Sequence, residues 1–183
     1  MPVVYTLDES ITATFAELDA VKSTIMGCLY HLLDPDNAYW REAILEELNK
    51  LFMWESLRFE PPGPLINNAA MKDFELYYQG QTYKIKAGTR IVSSIHALHQ
   101  HKESWRVIAG DMAPLTVFEP SRFLKYGDKL LGSSWFMPFG KGPRRCPGQA
   151  AAALMVKTFL KVFIQRDWKN CRTVYPENQT KDS

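Results

Sequence analysis

The feature that most constrains this chain is a glycine-rich segment that runs directly into an apolar helical stretch. Residues 139–148 read Phe-Gly-Lys-Gly-Pro-Arg-Arg-Cys-Pro-Gly. A cysteine just before a helix start lies near unpaired backbone amides and the positive end of the helix dipole, and both favour the thiolate form. Arg144 and Arg145 favour the anion further because they are adjacent cations. The segment therefore favours an ionised thiol at Cys146, which is the form that binds a metal ion.

The glycines of this segment support the same interpretation. Gly142 and Gly148 permit backbone angles that other residues rarely adopt, so the loop can bring amide hydrogens near the sulfur and let a flat ring approach. Hydrogen bonds to a ligating sulfur tune the potential of bound iron. The alternative is a buried structural cysteine in a turn before a helix, which is the commoner setting for a lone cysteine. The full ten-residue pattern favours the metal ligand.

These ten residues match every fixed position of the signature Phe-x-x-Gly-x-Arg-x-Cys-x-Gly, and the chain thereby resembles the cytochrome P-450 family. The resemblance implies that Cys146 is the axial ligand of the iron of haem b. It also implies that Arg144 pairs with a haem propionate, a role that suits the planar donors of a guanidinium. Phe139 would shield the thiolate side of the ring, and Gly142 and Gly148 would complete the cofactor-binding set.

Two further motifs follow the order of the family. Residues 55–58 (Glu-Ser-Leu-Arg) are similar to its Glu-x-x-Arg helix, and residues 118–123 (Phe-Glu-Pro-Ser-Arg-Phe) to its Pro-x-Arg-Phe element. The resemblance implies a buried network of Glu55, Arg58 and Arg122 beside the haem. Loss of one member of such a network should be severe, because a buried charge is costly without its partner. A solvated ion pair on a helix surface is the alternative for the first two residues.

Periodicity and propensity predict a mainly α fold with a small antiparallel β-sheet, which the resemblance identifies as the C-terminal part of the cytochrome P-450 fold. Residues 1–183 would form one partial domain of this kind. Its predicted elements are a central helix over about 8–33, a second helix over 38–51, the Glu-x-x-Arg helix over 52–59, a small sheet over 74–93, a long ordered loop over 106–138, the cysteine loop over 139–148 and a final helix over 149–165.

The central helix resembles the family's long helix that crosses the oxygen side of the haem. That helix usually carries a glycine, then an acid followed by threonine, and residues 16–20 (Ala-Glu-Leu-Asp-Ala) align there. Asp19 matches the acid and is the candidate for proton delivery, whereas Ala20 or Val21 stands where threonine is expected. The run over residues 17–20 is similar to one found in some fungal members. Alternatively, Glu17 and Asp19 are solvated residues of an amphipathic helix.

The resemblance extends over nearly all of residues 10–168, which is less than half of a typical member. The segments that carry the membrane anchor and most substrate contacts in the family have no counterpart here. We therefore expect a truncated product, a partial gene model or a remnant. No apolar run is long enough to cross a bilayer, and the N-terminus does not resemble a signal peptide.

The resemblance implies a haem-thiolate monooxygenase, an oxidoreductase that inserts one atom of dioxygen into an organic, apolar substrate. Electrons would come from NADPH through a flavoprotein reductase or another donor. Cationic candidates for contact with an acidic partner are Lys125, Lys129, Lys141 and Arg145. The alternatives are a haem-thiolate isomerase or dehydratase, which the missing threonine suggests, and a non-catalytic remnant.

The remaining composition excludes other classes of function. A net charge of +2 gives no reason to expect nucleic acid as a partner. Three scattered cysteines do not make a disulfide framework, which points to a reducing compartment. We expect the cytosol, or the cytosolic face of the endoplasmic reticulum if a longer form carries an anchor.

The cluster of His96, His99 and His101 lacks carboxylates or cysteines at ligand spacing, so a structural role is favoured over a metal site.

Overall fold

The structure is a computed structural model that describes residues 7–43, 49–110, 114–166 and 171. This part of the chain is mainly α-helical, with two small antiparallel sheets, which confirms the predicted fold class. In chain order the helices and strands are α1 Leu7–Leu33, α2 Ala38–Ala43, α3 Asn49–Phe59, β1 Leu65–Ala69, β2 Phe74–Tyr78, β3 Gln81–Ile85, β4 Arg90–Ser94, α4 Ile95–His99, α5 Lys102–Ala109, α6 Ser121–Gly132 and α7 Gln149–Gln165.

The long first helix ends where the sequence supplies a cap for the next turn. The Oδ1 of Asp34 accepts a hydrogen bond from the backbone N–H of Asp36 at 3.0 Å, and Pro35 begins a short 3-10 turn. The side-chain amide of Asn37 donates to the carbonyl of His31 at 3.1 Å, which satisfies one carbonyl in the last turn of α1. The start of α2 matches the prediction, and its predicted continuation over residues 44–48 lies outside the described part.

Helix α3 lies at the centre of the core. Its side chains Phe52, Met53 and Leu57 are almost fully buried, and the helix packs against α1, α6 and α7. It begins before the predicted range of 52–59 and ends at its predicted last residue. Residues 61–64 (Pro-Pro-Gly-Pro) end it, because proline has no amide proton to donate and its ring clashes with the preceding turn.

The sheet predicted over residues 74–93 differs from the structure in its pairing. β2 pairs with β3 as a hairpin, whereas β4 pairs with β1, a strand that the sequence did not predict. β1 is hard to recognise because Asn67 and Asn68 occupy its centre and asparagine is uncommon in strands. The side chains of the β2–β3 hairpin are almost all exposed.

The prediction of a long loop over residues 106–138 is wrong, because this segment contains the end of α5 and the whole of α6. Aromatic residues obscured the helical periodicity of α6 in the sequence. In the structure α6 is amphipathic: Phe123 and Leu130 are buried at helical spacing, and Lys125 and Lys129 are exposed. Among the described residues of this range, irregular backbone is found over 114–120 and 133–138, on either side of α6.

Helix α7 occupies the range predicted for the final helix, residues 149–165. It buries Val156, Leu160 and Ile164 against the core, whereas Met155 and Phe159 remain 48% and 38% exposed. Helices α1 and α7 also contact one another. These two helices, with the loop before α7, enclose the candidate site.

Candidate functional site

The cysteine loop has the left-handed backbone geometry that its glycines permit. Gly140 and Gly142 have φ angles of 71° and 75°, which a residue with a side chain rarely adopts, whereas Gly148 has a φ of −79°, so the special geometry predicted for it is wrong. The backbone N–H of Cys146 donates to the carbonyl of Phe139 at 2.9 Å and closes the loop. The side chain of Cys146 is left exposed, directly ahead of α7, so the thiol is available to a ligand.

The exposed thiol lies in an apolar cleft of about 370 Å³, within the usual range for ligand sites. Small side chains and glycines line much of it, leaving room for a flat group. The lining includes Ala20, Val21 and Thr24 from α1, Phe139, Arg144 and Cys146 from the cysteine loop, Ala151, Ala152 and Met155 from α7, and Pro62, Leu65, Ile66 and Ile95 from the segment that runs from the end of α3 to the start of α4.

Arg144 and Arg145 have different surroundings. The Nε of Arg145 donates to the Oε1 of Gln149 at 2.8 Å, and its Nη2 donates to the same oxygen, so this guanidinium is engaged along α7. Arg144 lines the cleft and is exposed, and its side chain has no hydrogen-bond or ion-pair partner within the described residues. The guanidinium of Arg145 is therefore occupied by Gln149, whereas that of Arg144 is available to an anionic group.

These features fit iron protoporphyrin. An exposed thiol can supply a sulfur donor to the iron, the apolar cleft suits a macrocycle, and the guanidinium of Arg144 suits a propionate. Phe139, the first residue of the cysteine loop, also lines the cleft. The structure thus brings together Cys146, Arg144, Phe139 and Gly148 at one cleft, with Gly142 in the turn between them.

Asp19 is not brought to this cleft. Its side chain is 80% exposed, and its Oδ1 lies 3.8 Å from the Nζ of Lys22 one turn further along α1. This is the solvated setting that the sequence left open as the alternative. The side chain of Glu17 lies outside the described residues, so its predicted position is not described.

Thr24 is a site residue that the sequence did not single out. It is 7% exposed and lines the cleft, and its hydroxyl donates to the carbonyl of Ala20 at 2.9 Å. The signal was present in the helical spacing, since Ala20 and Thr24 are four residues apart and share one face of α1. The resemblance aligned the expected threonine with Ala20 or Val21, one turn before Thr24, and all three residues line the cleft.

Glu55, Arg58 and Arg122 are brought together in the core. Glu55 Oε2 lies 2.8 Å from Arg58 Nε, and Glu55 Oε1 lies 3.4 Å from Arg122 Nε; all three side chains are fully or almost fully buried. Arg58 Nη2 also donates to Glu55 Oε1 at 2.8 Å, which makes the first pair bidentate. Burial lowers the pKa of Arg122, and the charge of Glu55 opposes that shift.

Backbone groups complete this network. The N–H of Glu119 donates to Glu55 Oε1 at 2.8 Å, and Arg122 Nη2 donates to the carbonyls of Pro114 and Val117 at 3.2 and 3.1 Å. The segment before α6 is therefore fastened to α3 by charged side chains. Such a buried set is stable only when each member is paired, and these contacts supply the pairs.

The three clustered histidines are separated by the fold. His99 is fully buried, while His96 and His101 are exposed. The Nδ1 of His101 lies 2.6 Å from the hydroxyl of Ser104, a local contact at the start of α5. Across the described ranges, no three or more His, Cys, Asp or Glu side chains are grouped to hold a metal ion.

A second, smaller cleft of about 270 Å³ also borders the cysteine loop. Pro138, Phe139 and Gly140 line both clefts, so the loop forms a wall between them. Lys141 and Arg145 line this second cleft, and exposed Lys125 and Lys129 lie on α6.

In the part of the chain that the structure describes, no helix has the length and apolar character needed to cross a bilayer.

Comparison with known proteins agrees with this geometry. The family model described as cytochrome P450 matches residues 45–182. An aromatase from Taeniopygia guttata is 32% identical over 117 residues, which cover 63% of this chain and 19% of that protein. A steroid 17-alpha-hydroxylase/17,20 lyase from Oryzias latipes is 35% identical over 115 residues, or 61% of this chain and 20% of that protein.

A plant relative and a solved structure extend the comparison. A geranylhydroquinone 3''-hydroxylase from Arnebia euchroma is 36% identical over 122 residues, covering 65% of this chain and 22% of that protein. The crystal structure of a 6-coordinated cytochrome P450 from Thermus thermophilus has a TM-score of 0.63 at 23% identity, covering 80% of this chain and 37% of that one. The chain thus spans about a fifth of the length of these curated relatives.

Proposed function

Because this chain belongs to the cytochrome P450 family, we propose that it binds haem through Cys146 and forms the haem-cradling part of a haem-thiolate monooxygenase. The observation that carries the proposal is the exposed Cys146 thiol in an apolar cleft that Arg144 also lines. When bound, haem supplies the reductive activation of dioxygen, with one oxygen atom entering an organic substrate and the other leaving as water.

Each residue of the cleft has a defined task. The sulfur of Cys146 provides the anionic donor to the iron, and its position ahead of α7 supports the charge. Arg144 provides charge-assisted hydrogen bonds for a propionate. Phe139 excludes water from the loop side, and its carbonyl holds the Cys146 N–H at 2.9 Å. The small residues of α1 and α7 leave the space that a flat ring requires.

Thr24 takes the role in proton handling that the sequence assigned to Asp19. Its hydroxyl hydrogen is directed to the carbonyl of Ala20, so the oxygen can accept a hydrogen bond from a water in the cleft. Asp19 is 80% exposed and paired with Lys22, which suits a solvated residue. Holding one water at the Thr24 oxygen would position a proton on the α1 side of the cleft.

The same surfaces support proposals for the class of substrate and for the redox partner. The apolar lining beside Thr24 suits a lipophilic organic substrate, a class consistent with the steroid and geranylhydroquinone hydroxylase activities named for two relatives. The cations beside the second cleft, Lys141 and Arg145, suit an acidic flavoprotein that delivers electrons from NADPH. A reducing compartment, either the cytosol or the cytosolic face of the endoplasmic reticulum, suits a site that depends on a free thiol.

Reconstitution with haem tests the proposal. Purified protein should bind haem and, after reduction under carbon monoxide, show the strongly red-shifted Soret band of thiolate ligation. Cys146→Ala should abolish that band, whereas Cys171→Ala, which removes the other exposed cysteine, should leave it unchanged. Well-folded protein that takes up no haem, or that gives the same spectrum without Cys146, would overturn the proposal.

Turnover separates a monooxygenase from an isomerase or dehydratase that uses the same ligand. A monooxygenase requires NADPH and a reductase and transfers one atom of labelled dioxygen to its product. The thiolate spectrum without such incorporation, together with rearrangement of an oxygenated substrate in the absence of NADPH, would favour the second class. The hydroxyl of Thr24 in the cleft favours the first.

A further inference from the structure

His99 lies between the buried ion-pair network and the cysteine loop. Its side chain is fully buried at the end of α4, and its Nε2 accepts a hydrogen bond from the backbone N–H of Met137 at 3.1 Å. Its backbone carbonyl faces Nη1 of Arg58 at 3.5 Å. Phe136, immediately before Met137, packs against the imidazole with ring centroids 5.0 Å apart. One residue therefore contacts both the network and the start of the loop.

The contact at Met137 continues to the cysteine through two backbone hydrogen bonds. The carbonyl of Met137 accepts from the N–H of Gly140 at 3.0 Å, and the carbonyl of Phe139 accepts from the N–H of Cys146 at 2.9 Å. Met137 is thus held on both sides, by His99 at its nitrogen and by the loop at its oxygen. The turn that presents Cys146 begins from this fixed point.

The direction of the hydrogen bond determines the form of the imidazole. Because a backbone N–H can only donate, the Nε2 of His99 must be unprotonated, and the neutral ring carries its hydrogen on Nδ1. Among the described residues Nδ1 has no hydrogen-bond partner, although backbone groups of Leu57 and Arg58 on α3 favour a proton on the ring. Burial and the charge of Arg58 keep the ring neutral by lowering its pKa to about 4.

We propose that His99 is a positioning residue for the cysteine ligand, and that it fixes the start of the loop by accepting the amide hydrogen of Met137. The role needs an acceptor at the Nε2 position and a neutral ring, not merely a bulky side chain. A residue that only filled space would pack against Phe136 without controlling the Met137 amide. The inference rests on the proposed function only in treating Cys146 as the haem ligand.

Two amide substitutions of different length separate the hydrogen bond at Nε2 from the packing of the imidazole ring. His99→Gln places its side-chain amide oxygen near the former Nε2 and can still accept from Met137. His99→Asn places its amide near the former Nδ1 and leaves the Met137 N–H without a partner in the core. We expect His99→Gln to preserve the loop and His99→Asn to loosen it. His96→Gln, an exposed change on the same helix, is the matched control.

The first measurement is hydrogen exchange at the Met137 amide in the protein without haem. Loss of one hydrogen bond should accelerate exchange roughly 10-fold in His99→Asn, while His99→Gln and His96→Gln should remain close to wild type. Nitrogen NMR of the wild-type imidazole provides a test that needs no variant, since His99 should appear as the neutral ring protonated at Nδ1. Equal protection in the two His99 variants, or a ring protonated at Nε2, would overturn the inference.

The second measurement is the fraction of bound haem that shows the thiolate spectrum under carbon monoxide. It should fall at least about threefold in His99→Asn at unchanged total haem and recover in His99→Gln. If the thiolate fraction is the same in both variants, His99 does not position the ligand. If Cys146→Ala gives the same carbon-monoxide spectrum as the wild type, the haem proposal fails. The exchange rate of the Met137 amide would still test the hydrogen bond between Met137 and His99.

Discussion

The Oε1 of Glu55 accepts a hydrogen bond from the backbone N–H of Glu119 at 2.8 Å, although the two residues lie 64 positions apart. The same carboxylate binds Arg58 and Arg122, so donors from three segments converge on one buried anion. The contact connects α3 to the segment that leads into α6 and, beyond it, to the cysteine loop. The position of the cysteine loop therefore depends on the charge of Glu55, although Glu55 does not line the cleft.

Removal of the charge of Glu55 should destabilise the chain strongly. Glu55→Gln keeps the shape of the side chain but leaves Arg58 and Arg122 buried without a counter-charge. Breaking a buried ion pair in this way costs about 3–5 kcal/mol of unfolding free energy. Urea denaturation followed by circular dichroism measures the loss. Glu75→Gln, on an exposed strand position, should change the same quantity by less than about 0.5 kcal/mol. A loss below about 1 kcal/mol for Glu55→Gln would show that the network contributes little.

The two adjacent arginines should differ in their effect on haem affinity. Arg144→Leu removes a guanidinium that lines the cleft without a partner among the described residues, so haem affinity should fall roughly 10- to 100-fold. Arg145→Leu removes a guanidinium bound to Gln149 and should change haem affinity little. Haem titration followed at the Soret band measures both. Equal losses would mean that the propionate is not recognised by Arg144.

Acid should destabilise the fold through two buried histidines. Burial lowers the pKa of His31 and of His99 from 6.5 to about 4. The unfolded chain therefore binds more protons than the folded one between these values, so the stabilisation is complete above pH 6.5 and is lost as the pH falls toward 4. Each side chain contributes on the order of 3 kcal/mol to this loss.

Thermal unfolding measured across this pH range tests the linkage. His31 stacks on Phe118 with ring centroids 4.0 Å apart, so His31→Phe should retain the aromatic packing and remove about half of the pH dependence. His96→Gln changes an exposed ring and should leave the slope as in wild type. A transition temperature that stays constant from about pH 7 to about pH 4 would contradict burial of neutral imidazoles.

Thr24 and Asp19 should differ in their effect on turnover. Thr24→Val keeps the shape of a residue that is 7% exposed in the cleft but removes the hydroxyl, and turnover should fall on the order of 10²-fold. Asp19→Asn alters a side chain that is 80% exposed and should leave turnover near the wild-type value. The measurement is product formation from a lipophilic substrate with purified reductase, at equal content of thiolate-ligated haem. The reverse order would restore Asp19 as the proton donor.

The sequence predicted the site best where one short segment carries the chemistry. Residues 139–148 contain the proposed ligand Cys146, Arg144 and the glycines together, so their motif needed no tertiary information. Glu55, Arg58 and Arg122 could also be placed, because two motifs occur in a fixed order. Thr24 could not be placed in this way, since its approach to Cys146 depends on how α1 packs against α7.

The fold was predictable where local periodicity decides it and not where pairing does. The ranges of α1 and α7 follow from apolar spacing and breakers, whereas α6 was hidden by the aromatic residues around Phe123 and Tyr126. The pairing of β1 with β4 joins residues separated by a whole hairpin, as in the partners Leu65 and Ser94. Strand register of this kind is a tertiary property that propensity does not encode.

The cleft is built from helices near the two ends of the described chain, α1 from Leu7 to Leu33 and α7 from Gln149 to Gln165. During synthesis on the ribosome, α1 emerges long before Cys146 and α7 have been translated. No partial nascent chain can therefore offer both walls of the cleft, and contacts between such distant segments form late in folding. Haem bound as we propose would therefore have to enter after α7 has been synthesised, because the earlier part of the chain lacks both Cys146 and one wall of the cleft.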